Sequence, residues 1–241
     1  MTRIRLRTRP AVLFAGLVLI ALVIFLPMRL ALGWAGLGQE GFTARSVTGT
    51  IWDGVIRDAM FGDVALGSLE ASVSPLSLLA GRARVRVDGR PTGVADALHG
   101  ALISSRSSRG VDQISGALPT GRAFSPLPVT LLTLDSLSVS FVDDRCVAAE
   151  GRVTATLGGD VAGIVLPAQV SGMARCDNGA LLLPLASQSG NETITLRITG
   201  EGGYNAAMAL VPGDPITAQK LTALGFVQTG SSYQLSAEGR F

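Results

Sequence analysis

LDSLSVSFV, residues 134 to 142, alternates polar and apolar side chains with a period of two. In an extended strand the three serines lie on one face, and Leu137, Val139 and Phe141 lie on the other. A strand of this kind packs its apolar face on a core and leaves the second face to water. The stretch therefore predicts a half-buried strand of an antiparallel sheet.

The pattern recurs along the chain beyond Gly41, in roughly a dozen short segments separated by Gly, Pro, Asp or Asn. Besides residues 134–142, the clearest are Ser46 to Trp52, Val64 to Ser74, Ala83 to Val87, Arg152 to Leu157, Thr193 to Thr199, Tyr204 to Val211 and Tyr233 to Gly239. The 30 glycines and 11 prolines fit a protein of many strands and turns.

Short helices are predicted at two places where Pro follows a capping residue and Gly comes after the last turn, Ser74 to Gly81 and Asp214 to Gly225. The proline-rich stretch Pro119 to Pro128 is expected to join two halves of one domain. We expect a mainly β fold: one N-terminal helix, then an antiparallel, curved or U-shaped sheet that resembles an open barrel or groove, with one or two short helices.

The start of the chain is apolar, since Ala11 to Met28 reads AVLFAGLVLIALVIFLPM without a charge. Extended to Leu32, the run is long enough to cross a hydrocarbon layer of about 30 Å as a helix. Arg3, Arg5, Arg7 and Arg9 precede it and only Arg29 follows closely, which predicts a cytoplasmic N-terminus.

The expected organisation is a cytoplasmic segment 1–10, a transmembrane anchor 11–32, a juxtamembrane linker 33–42 and an exported β domain 43–241. A cleaved signal peptide is the alternative. It is disfavoured because the apolar run is long and Ala31-Leu32-Gly33 is a poor cleavage site.

Charge and motifs exclude several functions. Five of the 20 basic residues lie within the first 29 positions, so the remainder carries 15 bases against 18 acids and lacks a global nucleic-acid footprint.

His99 is the only histidine and no GxSxG motif is present, which argues against a serine hydrolase. Asp143-Asp144 reads as a turn, and Gly36 to Gly41 matches GxGxxG but follows an apolar helix instead of a strand. We expect no catalytic residues, no metal and no cofactor.

Four arginines share one face of a predicted strand, namely Arg82, Arg84, Arg86 and Arg90. Such a row is most often a solvated face, or a charged edge that resists pairing with another strand. The functional alternative is a strip that binds phospholipid headgroups or an acidic partner.

Cys146 and Cys176 are the only cysteines. An even number in an exported domain points to one disulfide, which would stabilise the fold by roughly 3 to 4 kcal/mol. Two buried free thiols are the alternative.

The segment Gly49-Thr50-Ile51-Trp52-Asp53-Gly54, called here the signature, resembles a motif of the type II secretion system protein N family. The resemblance continues through Leu66 to Leu69 and Ser74 to Gly81. It resumes at Cys146, Glu150-Gly151 and Gly172 to Gly179, and it ends at Tyr233 to Gly239.

This resemblance implies a non-enzymatic, single-pass inner-membrane component with a periplasmic β domain, which supports export of folded proteins from the periplasm. Its implied partners are the other inner-membrane components of the system and the membrane. The family is also similar to periplasmic β-groove proteins of lipid traffic, so a lipid-binding or lipid-transfer module with phospholipid as ligand is the alternative. Within the signature we expect a turn at Asp53-Gly54 and a Trp52 that anchors one face of the sheet.

Overall fold

The computed structural model describes residues 10–34, 41–62, 64–79, 81–90, 97–158, 160–161 and 164–240. Its helices are α1 (Pro10–Ile24), α2 (Met28–Trp34), α3 (Pro75–Leu79) and α4 (Pro215–Ala223). Its strands are β1 (Phe42–Thr43), β2 (Ser46–Thr50), β3 (Asp53–Phe61), β4 (Val64–Val73), β5 (Ala83–Gly89), β6 (His99–Ser104), β7 (Ser108–Pro119), β8 (Val129–Val142), β9 (Arg145–Leu157), β10 (Asp160–Val161), β11 (Ile164–Val165), β12 (Gln169–Met173), β13 (Arg175–Asp177), β14 (Ala180–Ala186), β15 (Glu192–Ile198), β16 (Gly203–Leu210), β17 (Val227–Thr229) and β18 (Ser232–Arg240).

Sixteen strands form one antiparallel sheet, and the remaining two, β10 and β11, pair with each other. The order from one end is β1-β3-β4-β5-β6-β7-β8-β9-β12-β14-β15-β16-β18-β17, with β2 beside β3 and β13 beside β14. Strands that follow one another in the chain are almost always neighbours, and the sheet is open. The predicted mainly β, antiparallel architecture is confirmed.

Residues 134–142 lie in β8, between β7 and β9 near the middle of the sheet. Leu137 and Val139 are buried, as the alternation predicts. The two short helices predicted from the Pro and Gly positions are present as α3 and α4. Asp214 caps α4, because one of its carboxylate oxygens accepts the N–H groups of Ile216 and Thr217, each at 2.9 Å.

The expectation of one continuous helix over residues 11–32 is wrong. Helix α1 ends at Ile24, and a separate helix begins at Met28. Pro27 accounts for the break, because it has no N–H to donate to the carbonyl four residues earlier. In the part of the chain that the structure describes, no helix combines the length and apolarity needed to cross a membrane. Residues 1–9 and the middle of the expected linker, 35–40, lie outside the described residues.

The apolar side chains of the sheet form two clusters. The larger one runs from β8 to β18 and contains 23 buried residues, among them Val153, Leu183 and Met208. Phe124 and Leu127 of the β7–β8 connection, Leu221 of α4 and Phe226 cover it. The smaller cluster has six buried residues on β3, β4, β5 and α2: Met28, Ile56, Ala59, Leu69, Ala71 and Val87.

Candidate interaction site at the helix junction

The signature forms the turn between β2 and β3 and the strand ends on either side. Thr50 pairs with Asp53 and Gly49 with Gly54, so Ile51 and Trp52 make the turn. The prediction of a turn at Asp53-Gly54 is therefore wrong, because these two residues are paired as the first residues of β3. The turn lies against the break between α1 and α2, and we call this region the helix junction.

Trp52 closes the C-terminal end of α1 rather than anchoring a face of the sheet. Its indole N–H donates to the carbonyl oxygens of Val23 and Ile24, both at 3.1 Å. The last carbonyls of a helix have no partner within the helix. The usual partner of the Val23 carbonyl would be the N–H of residue 27, which Pro27 lacks. The indole thus adds a donor to both carbonyls, beside the N–H of Leu26, which reaches the Val23 carbonyl at 3.4 Å.

Backbone hydrogen bonds continue the contact into the sheet. The N–H of Ile51 donates to the Leu26 carbonyl at 3.1 Å, and the carbonyl of Ile51 accepts the N–H of Val73 at 2.9 Å. Pro27 forms an isolated bridge with Thr50. Leu26, Pro27 and Met28 were not identified from the sequence as part of a site, although a proline near the end of an apolar run was the available signal.

Both glycines of the signature lie at close approaches within the junction. Gly49 has a φ of +89°, and a Cβ there would lie 2.3 Å from the Asp53 carbonyl oxygen. A Cβ on Gly54 would lie 2.2 Å from the Sδ of Met28. Glycine at position 54 therefore lets α2 pack directly on the sheet, with Met28 buried in the smaller cluster.

The four arginines predicted to share a face are all exposed, with Arg84 and Arg86 on β5 and the other two flanking it. Arg84 pairs with Asp112 at 2.5 Å and Arg90 with Glu70 at 2.5 Å, so two of the guanidinium groups are already matched by carboxylates. Across the described residues, Arg82 and Arg86 form no ion pair. The interpretation as a charged sheet edge is wrong, because β5 is paired on both sides.

Cys146 and Cys176 form a disulfide, with their Cα atoms 5.5 Å apart, between the start of β9 and β13. Beside it, Arg197 donates to the carboxylate of Asp177 at 2.6 Å and to the Asp177 carbonyl at 3.0 Å. The hydrogen bond from Arg197 lowers the pKa of Asp177, and the positive charge of Arg197 adds to the effect. The disulfide and the ion pair both hold β13, which is only three residues long.

A hollow of about 530 Å³ lies against β7, β8 and β9. Aliphatic residues such as Ile103, Val111 and Val147 line it, together with Arg109 and Glu150. Arg109 is held by Asp144 and donates to the carbonyl of Gly200. The lining of the hollow thus combines aliphatic side chains with serines and charged groups.

The remaining candidates form no catalytic or metal-binding group in the part of the chain that the structure describes. His99 is exposed at the start of β6, and Asp143 and Asp144 form the β8–β9 turn, as predicted. Most of the GxGxxG match, residues 36 to 40, lies outside the described residues. Within the described ranges no three His, Cys, Asp or Glu side chains gather as metal ligands would.

The fold and the junction define a class of protein: a large open antiparallel sheet that holds, through one two-residue turn, the end of an exposed apolar helix. The family model described as type II secretion system (T2SS), protein N, matches residues 40–236, and the chain belongs to this family. Comparison with curated proteins and with solved structures gives no match.

Membership in this family makes the chain a component of type II secretion and indicates a location in the cell envelope. The family is one of secretion components and is not a known enzyme family. Association with other components of the system follows from the same membership.

Proposed function

We propose that the protein is a non-enzymatic inner-membrane component of the type II secretion system, with its β sheet in the periplasm and its N-terminus in the cytoplasm. The sheet presents a surface to other inner-membrane components, and the helix junction fixes the orientation of that surface relative to the membrane. The observation that carries the proposal is the closure of α1 by Trp52.

The apolar surface of α1 supports a lipid environment for this helix. Its side chains from Val12 to Ile24 are all exposed, and they contact neither the sheet nor the other helices extensively. A patch of this size in water is unfavourable, because each buried Å² of apolar surface stabilises by roughly 25 cal/mol. The arginines at positions 3, 5, 7 and 9 fit the cytoplasmic side.

The test is a topology and secretion experiment on the full chain. Alkaline phosphatase fused after Phe241 is expected to be active, and Cys146 and Cys176 are expected to resist thiol alkylation until reduced. A strain that lacks the protein should lose part of its export of folded substrates, and the full chain should restore it. An inactive alkaline phosphatase fusion, or export that is unaffected by the deletion, contradicts the proposal.

A lipid-binding module is the second candidate, and the surface between the two apolar clusters favours it. Leu102 of β6 pairs with Val85 and with Val111, which pack on different clusters, yet Leu102 is itself 45% exposed. The hollow beside β7, β8 and β9 offers further aliphatic surface. A bound acyl chain would bury both the exposed Leu102 side chain and the aliphatic lining of the hollow.

Native mass spectrometry of the full chain in detergent distinguishes this candidate. A lipid held in the hollow should remain bound in a fixed ratio, and V147W, which places an indole in the hollow, should release it. M173W is the control, because Met173 is similarly exposed but does not line the hollow. Equal retention of lipid by both variants contradicts a lipid site there.

A further inference from the structure

We infer that α3 is a second membrane contact, in which Leu76 and Leu78 insert into the headgroup region of the bilayer that surrounds α1. The inference rests on the proposed membrane placement of α1 and adds a lipid-binding element in the β domain. The occupant is a phospholipid surface, recognised by two exposed leucines and by two arginines at the same end of the sheet.

The position of α3 follows from hydrogen bonds. The connection that contains α3 begins directly after Val73, whose N–H donates to the Ile51 carbonyl at 2.9 Å. The N–H of Ile51 donates in turn to the Leu26 carbonyl, just past the end of α1. Two consecutive hydrogen bonds therefore join the base of α3 to the end of α1, so a bilayer that contains α1 has α3 at its surface.

The exposure of α3 is unusual for its composition. Leu76 is 77% exposed and Leu78 is 41% exposed, although the helix is apolar apart from Ser77. The ends of the helix are ordered by local bonds, since Ser77 donates its hydroxyl to the Ser74 carbonyl and Arg82 donates its N–H to the Ser77 carbonyl. The leucines are thus held outward by the turn itself. Such side chains are typical of elements that enter a membrane interface.

The charge around α3 complements an anionic bilayer. Ala83 pairs with Ser104, so the connection before β5 and the connection after β6 begin at neighbouring strand ends, at the same end of the sheet. They carry Arg82 and Arg106 and no acidic residue, and neither arginine has an ion pair within the described residues. Each basic residue near an anionic leaflet favours binding by about 1 kcal/mol. The two leucines and the two arginines thus lie at the same end of the sheet as the end of α1.

Photo-crosslinking of the full chain in vesicles tests the inference. The photoreactive residue p-benzoylphenylalanine replaces Leu76 or Leu78 in separate variants, and Met60 in the control. Met60 matches Leu78 in exposure, at 41%, but lies at the other end of β3, about 20 Å from the turn. A fourth variant carries the residue at Leu19 of α1, which is 66% exposed. The vesicles contain phosphatidylethanolamine and phosphatidylglycerol, and lipid adducts are quantified by mass spectrometry.

We expect several-fold more lipid adduct at Leu76 and Leu78 than at Met60, with the highest level at Leu19. Adducts at Leu76 and Leu78 no higher than at Met60, together with lipid adducts at Leu19, overturn the inference and leave the membrane placement intact. Absence of lipid adducts at Leu19 as well overturns both. The same variants are crosslinked in the secretion complex purified with this chain. Adducts of Leu76 with a protein instead of a lipid overturn the assignment of a phospholipid surface as its partner.

The contribution of charge is measured by combining R82Q and R106Q with the label at Leu76. The lipid adduct should fall by between about fivefold and thirtyfold in vesicles with phosphatidylglycerol, since one or both contacts of about 1 kcal/mol are lost. It should change little in vesicles of phosphatidylcholine alone. An equal adduct with and without the arginines in the anionic vesicles overturns the role assigned to them.

Discussion

The two apolar clusters differ in how they are covered. The larger cluster has its own cover, since the β7–β8 connection, α4 and Phe226 all pack on it, and Tyr204 donates its hydroxyl to the Ala123 carbonyl at 2.5 Å. The smaller cluster has six buried residues and is covered by α2, which is attached to the exposed helix α1. The first is an ordinary core, whereas the second depends on α2, the element that leads to the exposed helix α1.

This difference assigns the stability of the fold mainly to the larger cluster and the orientation of α1 and α2 on the sheet to the smaller one. The larger cluster, with its disulfide, supplies most of the buried apolar surface of the fold. The smaller cluster supplies less, but its glycines and Trp52 place α1 and α2 against the sheet at defined positions. We therefore expect substitutions in the two regions to differ in kind as well as in size.

The largest effect is expected from M208A, because Met208 is among the most deeply buried side chains of the larger cluster. Removing its side chain should lower the free energy of unfolding by about 4 kcal/mol, through lost transfer energy and a cavity. I56A in the smaller cluster should cost about 2 kcal/mol, since fewer neighbours surround it. Urea denaturation measures both, and equal costs would contradict the comparison.

Removing the disulfide with C146A and C176A together should lower the free energy of unfolding by roughly 3 to 4 kcal/mol, because the unfolded chain regains the freedom of a 30-residue loop. Hydrogen exchange should increase from β9 to β16 and stay unchanged in β2 to β4. Equal loss of protection in both regions would show that the sheet unfolds as a single unit.

G49A should lower the free energy of unfolding by about 1 to 3 kcal/mol, because its Cβ would meet the Asp53 carbonyl oxygen and its φ is unfavourable for alanine. The matched control is G190A, where φ is +76° but no atom lies within 4 Å of the added Cβ. G190A should carry only the smaller backbone cost. The difference between the melting temperatures of G49A and G190A measures the destabilisation caused by the close approach at position 49. Identical melting temperatures would show that the close approach does not require glycine there.

W52F keeps an aromatic ring and removes the indole N–H, so the Val23 and Ile24 carbonyls lose the hydrogen bonds that the indole donates. We expect a loss of about 1 kcal/mol at the junction. Hydrogen exchange should increase at residues 21–27 and remain unchanged in β14 to β16. Exchange that is unaltered at residues 21–27 would show that the indole does not hold the helix end.

The smallest effect is expected from pH at Asp177. Because its pKa is lowered in the folded protein, the ionised carboxylate adds stability above its unfolded pKa, and this stability is lost as the pH falls through the folded value. The melting temperature should therefore fall slightly as the pH drops below the unfolded pKa of about 3.9. D177N should be less stable at pH 6 and should show less of this acid dependence. If the melting temperatures of D177N and of the unsubstituted protein change with pH in the same way, the ion pair between Asp177 and Arg197 does not contribute to the acid dependence.

The sheet itself was predictable from the sequence, because period-two alternation reports burial on one face. Residues 134–142 show this directly, as does the exposure of the arginines on β5. The α3 and α4 boundaries followed from Ser74, Pro75, Asp214 and Pro215, whose capping chemistry is local.

The junction was not predictable, because it depends on contacts between residues 23–28 and 49–54 that no local pattern encodes. Hydropathy alone extends the apolar run past Pro27 into α2, although Met28 is buried against the sheet rather than in lipid. The cover of the larger cluster was missed for the same reason, since Ala123 and Tyr204 are 81 positions apart.

The hairpin order of the sheet has a consequence for the sequence of assembly. Nearly every strand pairs with the one made just before it, so loop closure costs little at each step. The helix junction needs nothing beyond Val73 and is complete once β4 has been made. The cover of the larger cluster includes a hydrogen bond from Tyr204, which is synthesised much later. A chain made from its N-terminus can therefore form the helix junction well before its larger cluster is covered.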